Sequence, residues 1–217
     1  MAHREEAPAL RGFAYTFVPS DGHPKPLVLL LLHGTGGDED SLLQLGDELC
    51  PGAAMLSPRG KVLENGMPRF FRRLAENVFD VGDLMLRTHE LADFVAAASE
   101  MYSLQSRPIV AVGYSNGANI GSSLLLLHPR LLAGAVLFRP TVPLVPERSP
   151  DLSGAHVLIA AGSHDSVVPK DKSTELFDLF KRYNADVTLR WENSSHTLTE
   201  GELQGTRDWL AGHFAGS

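Results

Sequence analysis

The sequence predicts an α/β chain, a mostly parallel central sheet with helices on both faces and no large lid domain. Three observations predict it. Residues 27–32 are an aliphatic run without polar alternation, the pattern of a strand covered on both faces and placed centrally in a parallel sheet. Residues 108–112 are a second apolar run, leading directly into Gly113-Tyr114-Ser115-Asn116-Gly117 and then into a helix-compatible stretch, 118–127. Further strand-like runs at 131–138, 156–161 and 186–191 are separated by stretches that read as loops and helices.

Length and composition fit one domain over 1–217, with 1–12 as a flexible lead-in. The chain has 217 residues, 43% of them hydrophobic, enough for a substantial single core. A net charge of -7 argues against a nucleic-acid or anionic-membrane partner, and the short basic cluster Arg69, Arg72 and Arg73 does not reverse that. Cys50 is the only cysteine, which excludes an intrachain disulfide and a cysteine-rich metal site. Residues 1–10 lack the apolar core of a secretion signal, and the run 27–32 is far too short to span a bilayer. These features predict a cytoplasmic protein without membrane insertion.

Taken in order, residues 13–18 read as a first strand at a sheet edge, ending at Pro19, and 20–26 as a turn. The run 27–32 opens into the glycine-rich loop His33-Gly34-Thr35-Gly36-Gly37, followed by a helix over 41–49 and a short strand over 53–57. Residues 61–82 are the least regular part, longer than an ordinary connection. Residues 83–102 predict a helix, because Leu84, Leu91, Phe94, Val95, Ala98 and Tyr102 fall on one stripe, with Asp83 as its N-cap. The prolines 140, 143, 146 and 150 mark a surface excursion before strand sequence resumes at 156. A helix is expected from near Lys170, a last strand over 186–191 and a closing helix over 199–214.

The chemistry centres on Ser115. In its strand–turn–helix context G-x-S-x-G is a nucleophile elbow, and the two glycines give the turn room to hold a serine in a strained conformation. Asp165 follows the strand-like run 156–161 and His196 follows 186–191, so Ser115, Asp165 and His196 lie after successive strands in the order such an elbow enzyme requires. Asp151 and Asp171 are competing acids that read as turn or cap residues. His164 reads as a solvent-facing neighbour of Asp165. The glycine-rich loop matches no phosphate-binding pattern, and Asp38, Glu39 and Asp40 after it would repel phosphate. It suits an oxyanion hole instead, with the amides of Thr35 and Asn116 as donors. His33 reads either as a catalytic group or, preferably, as a brace for that loop. Phe70, Phe71, Met67, Val167 and Val168 are the candidates for an apolar substrate wall, although the aromatics serve equally well as core beneath the loop. Arg72 or Arg139 could read an anionic group on the substrate or form a surface ion pair.

The motifs Leu32-His33-Gly34-Thr35-Gly36-Gly37, Gly113-Tyr114-Ser115-Asn116-Gly117-Ala118-Asn119, Gly162-Ser163-His164-Asp165-Ser166-Val167-Val168-Pro169 and Ser195-His196 carry a resemblance. From about residue 13 onward the chain resembles the serine carboxylesterase, phospholipase/carboxylesterase and acyl-protein-thioesterase branch of the α/β-hydrolases. Gly66-Met67-Pro68-Arg69-Phe70-Phe71-Arg72-Arg73 and Leu137-Phe138-Arg139-Pro140 are similar to a bacterial esterase subgroup associated with quinone stress. The chain departs from the related dienelactone hydrolases in having serine rather than cysteine at the elbow. The resemblance implies a serine hydrolase that cleaves carboxylic esters of small to medium acyl chains through an acyl-enzyme, without metal, nucleotide or redox cofactor. Thioesterase or lysophospholipase-type activity uses the same groups, and a non-catalytic small-molecule-binding protein on the same fold is the reading from a different class. The expected partner is a small-molecule ester. An exposed edge strand could support a homodimer.

Overall fold

A computed structural model of the chain describes residues 9–21, 27–75 and 78–214. Most of the expected lead-in 1–12, and residues 22–26 of the expected turn, lie outside them. Within the described part, Leu10 and Phe13 exchange backbone hydrogen bonds of 3.2 and 2.9 Å.

Strands β1 (Tyr15–Val18) and β2 (Val28–Leu32) are followed by helix α1 (Leu43–Leu49) and strand β3 (Ala54–Pro58). Two small hairpins come next, β4 (Val62–Glu64) with β5 (Met67–Arg69), and β6 (Arg73–Ala75) with β7 (Val78–Phe79). The rest alternates: α2 (Val81–Met101), β8 (Ile109–Tyr114), α3 (Asn116–Leu127), β9 (Gly134–Phe138), β10 (His156–Gly162), α4 (Lys170–Arg182), β11 (Asp186–Glu192) and α5 (Glu200–Phe214). Seven strands form one sheet in the order β1-β3-β2-β8-β9-β10-β11. Every neighbouring pair is parallel except β1 with β3, so the expected edge strand is also the one antiparallel member.

The unalternated run in β2 follows from its place between β3 and β8. Val28, Leu30 and Leu32 enter one core while Leu29 and Leu31 enter the other, and all five are wholly buried. Each such side chain contributes about 1.5–3 kcal/mol of burial. Leu84, Leu91 and Phe94 of α2, Ile120 and Leu124 of α3 and Leu176 and Phe180 of α4 line the first core. Leu49 of α1 with Trp209 and Leu210 of α5 line the second. Helices therefore cover both faces. Among the described residues no helix is long and apolar enough to cross a membrane.

Three local expectations are corrected. Residues 61–82 are not one irregular loop, because their described part folds into the two hairpins. The N-cap of α2 is Asp80, whose carboxylate accepts the Asp83 amide at 3.0 Å. Asp83 sits one turn later, accepting the Arg72 amide at 2.8 Å. The strand expected over 131–138 begins only at Gly134, where a Cβ would come within 2.1 Å of the His156 carbonyl oxygen.

Candidate active site

Strand β8 delivers Ser115 into a backbone conformation, φ 53 and ψ -111, that side chains other than glycine rarely adopt. Two hydrogen bonds hold it there: the Ser115 amide donates to Phe138 at 2.9 Å and its carbonyl accepts from the Asn119 amide at 3.0 Å. The flanking glycines are required for space. A Cβ on Gly117 would lie 1.9 Å from the Leu32 carbonyl oxygen, and one on Gly113 would lie 2.6 Å from the Gly117 oxygen. Ser115 occupies the N-cap position of α3, and among the described residues its hydroxyl makes no side-chain cap bond.

Asp165 follows β10, and its side chain is 1% exposed. One carboxylate oxygen accepts the Val167 and Val168 amides at 2.8 and 2.9 Å, and the other pairs with His196 Nδ1 at 2.8 Å. Two amide donors and the imidazole nitrogen thus fix the orientation of the carboxylate. With Nδ1 engaged by Asp165, His196 presents Nε2 as its second ring nitrogen. Tyr114, the residue before Ser115, donates its hydroxyl to the His196 carbonyl at 2.9 Å and tilts against the ring at 5.3 Å. Burial raises the Tyr114 pKa, so the phenol keeps the proton that it donates. The loops carrying Asp165 and His196 are stitched together, with the Ser163 amide on Glu192 at 2.7 Å and the His164 amide on Ser194 at 3.0 Å. The competing acids stand elsewhere: Asp151 accepts the Ser153 amide in an exposed turn and Asp171 is in the first turn of α4. His164 is exposed, bonded to Ser163 Oγ at 3.0 Å.

Sequence reasoning missed the role of Arg139. It is no surface ion pair: it is 1% exposed and its guanidinium is held by protein acceptors, although the residue also lines the cavity beside Ser115. Nη1 and Nη2 fork onto Glu202 at 2.5 and 2.9 Å, while further bonds reach the carbonyls of Ala160, Ser195 and Thr197 and the hydroxyl of Ser194. Its Nε lies 4.0 Å from the Asp165 carboxylate. Arg139 thus clamps the segment on both sides of His196. Its left-handed backbone, φ 57, was a structural cue invisible in sequence; its place after a central strand was the available signal. Arg72 points outward, pairing with Asp80 at 3.0 Å.

The glycine-rich loop lies beside the elbow. His33 is a brace: its Nε2 accepts the Gly60 amide at 2.9 Å and its Nδ1 bonds the Gly34 carbonyl at 2.6 Å. Burial lowers the His33 pKa, keeping the neutral ring that this pattern needs. Ser115, Thr35 and Asn116 share one cavity, walled on its apolar side by Val167 and Val168. Phe70 and Phe71 are corrected from wall to core, being 2% and 0% exposed within the α2-facing cluster. Met67, partly exposed, packs near Gly36, outside the lining of the cavity. Phe79 is the aromatic that does line the cavity, together with three arginines, Arg69, Arg73 and Arg139. Arg69 donates to Thr35 Oγ1 at 2.6 Å, and Arg69 and Arg73 both pair with Glu64, at 3.3 and 2.6 Å. Burial draws the Arg69 pKa below the ordinary guanidinium value, with Glu64 acting in the opposite sense.

The dienelactone hydrolase family model matches residues 71–205, which include the elbow, Asp165 and His196. The putative hydrolase MhqD of Bacillus subtilis is 47% identical over 182 residues, covering 84% of this chain and 91% of that protein. The carboxylesterase of Bacillus cereus superposes with a TM-score of 0.89 at 48% identity, covering 93% of this chain and 95% of that one. A carboxylesterase from Mesorhizobium loti gives a TM-score of 0.89 at 32% identity, covering 96% and 99%. With an α/β-hydrolase sheet and a serine at its elbow, this chain belongs to the dienelactone hydrolase family.

Proposed function

We propose that this hydrolase is a serine carboxylesterase in which Ser115 is the nucleophile, His196 the general base and acid, and Asp165 the group that orients His196. The observation that carries this reading is a serine held at φ 53 whose hydroxyl does not cap its helix, one residue beyond the tyrosine that holds His196. His196 Nε2 accepts the Ser115 proton as Oγ attacks the ester carbonyl, and Asp165 stabilises the imidazolium that forms. The tetrahedral oxyanion is held by the Thr35 and Asn116 amides, and neither is taken up by a protein acceptor among the described residues. His196 then protonates the leaving alkoxide, and the same nitrogen activates the water that releases the acid.

The cavity supports small to medium acyl groups that carry a polar or anionic end. Arg69 and Arg73 share the single carboxylate of Glu64, leaving net positive charge at the wall. Asn116 Nδ2 and Thr141 Oγ1, both at the cavity, are buried without a protein partner among the described residues. Such donors bind best to a ligand oxygen. A structural neighbour at 27% identity and TM-score 0.86, YahD, is described with malic acid, itself a small dicarboxylic acid.

Peptide mapping after fluorophosphonate treatment tests the nucleophile, beside Ser115→Ala. A single adduct on Ser115 supports the enzyme reading; none, under conditions that label a known serine esterase, moves a small-molecule-binding role forward. Rates with aryl acetate and aryl hemisuccinate, compared in Arg73→Gln, test the charge preference. The hemisuccinate KM should rise selectively.

A further inference from the structure

At the amino ends of the strands, away from Ser115, three potential metal ligands converge. His156 opens β10 and Asp186 opens β11, and they are direct register partners in the parallel pair. Their side chains meet with His156 Nδ1 2.8 Å from Asp186 Oδ2. From the last turn of α5, His213 brings Nε2 to 3.8 Å from the same carboxylate oxygen. The three ligand atoms lie within 4.8 Å of one another. We propose that His156, Asp186 and His213 form a binding site for a borderline transition-metal dication of the Zn2+ class, completed by water.

The chemistry of the donors supports it. Two imidazoles and one carboxylate are a ligand set that Zn2+ accepts, with bonds of about 2.0–2.2 Å that place tetrahedral ligand atoms about 3.3 Å apart. Closing the 3.8 Å gap and opening the 2.8 Å contact each need a shift of about half an ångström, and bringing the two imidazoles together needs at most about 1.5 Å, shared between side chains 29% and 33% exposed, beside a carboxylate 61% exposed. His213 is already arranged as a ligand. Its Nδ1–H donates to the Trp209 carbonyl at 2.8 Å, which fixes the tautomer and leaves the Nε2 lone pair for a cation. His156 needs only the Nε2–H tautomer to offer Nδ1. The rings are supported by packing, His213 on Trp209 at 4.5 Å and on His156 at 4.9 Å, with Phe214 edge-on to His156 at 5.6 Å. An ion here would staple the end of α5 to the edge of the sheet.

The experiment is calorimetric titration of the untagged full chain with Zn2+, beside His213→Ala, Asp186→Asn and the double variant His89→Ala/His128→Ala. The last removes the other close imidazole pair, which sits at 2.9 Å. One equivalent should bind, with affinity at least tenfold weaker in His213→Ala and Asp186→Asn and unchanged in the control. A saturating excess should raise Tm by roughly 5–10 °C without changing esterase rate. Cu2+ gives a local readout, since it should quench Trp209 emission in the parent chain and in the control but not in His213→Ala. Circular dichroism verifies that each variant is folded. No uptake by the parent chain, an unchanged affinity in His213→Ala, or uptake lost in the control would each overturn the proposal.

Discussion

Replacing Glu202 by glutamine tests whether the Arg139 clamp holds His196 in place. The change keeps shape and removes one negative charge at a residue 2% exposed. Arg139 then loses its counter-charge and one of the two acceptors of its fork, which becomes an NH2 donor facing the guanidinium, and the nearest remaining carboxylate is Asp165 at 4.0 Å. Breaking one side of a buried ion pair typically costs about 3–5 kcal/mol, because the other charge stays buried. For a chain of this size that corresponds to a Tm loss of roughly 6–20 °C. The catalytic effect is separate. Arg139 bonds Ser195 and Thr197, the residues on both sides of His196, so a loosened guanidinium lets the imidazole drift, and a misplacement of about 1 Å costs on the order of a hundredfold in rate. Urea unfolding and kcat on an aryl ester, measured for Glu202→Gln, Arg139→Met and the double variant, separate the two effects. The double variant should be less destabilised than the sum of the singles by more than about 1 kcal/mol. A loss below about 1 kcal/mol in Glu202→Gln together with unchanged kcat would refute the clamp.

Three further outcomes are expected. Gly117→Ala should fail to form a native elbow, since its Cβ would meet the Leu32 oxygen at 1.9 Å, and near-ultraviolet circular dichroism together with fluorophosphonate labelling would reveal the loss. Burial holds the His33 pKa below its ordinary 6.5, so the unfolded chain binds the extra proton first and stability must fall as pH drops below 6.5 towards the folded value. His33→Gln should flatten that dependence in urea titrations between about pH 5 and 7.5, whereas an identical slope would rule His33 out as its source. Tyr114→Phe removes the donor to the His196 carbonyl, and a loss of about 0.5–1.5 kcal/mol of stability with a severalfold fall in kcat is expected from unfolding and initial-rate measurements.

Much of the site was legible because its signals are local. The glycines around Ser115 answer a steric demand from the next few residues and from β2, and the ends of β10 and β11 are marked by the change from apolar run to Gly162 or to Glu192. The hairpins within 61–82 were not legible. Strands of two or three residues carry no readable period, and Phe70 and Phe71 look alike in sequence whether they face a substrate or a core. Asp80 and Asp83 are one turn apart and both suit a helix start, so composition could not choose between them. Arg139 depends on an acid 63 positions away on α5, a pairing that only the folded chain reveals.

The first of those hairpins bears on how the enzyme meets its substrate. The Pro68 carbonyl accepts the Gly36 amide at 2.9 Å, the Phe70 amide donates to Asn116 at 2.8 Å, and two phenylalanines anchor the segment beneath. A cover sewn to the glycine-rich loop at one end and to the elbow at the other cannot swing away as a flap does. With that cover pinned, hydrolysis should follow a plain hyperbola as an ester passes from dissolved monomer to micelle, without the jump in rate seen when an oil–water boundary pries a lipase open.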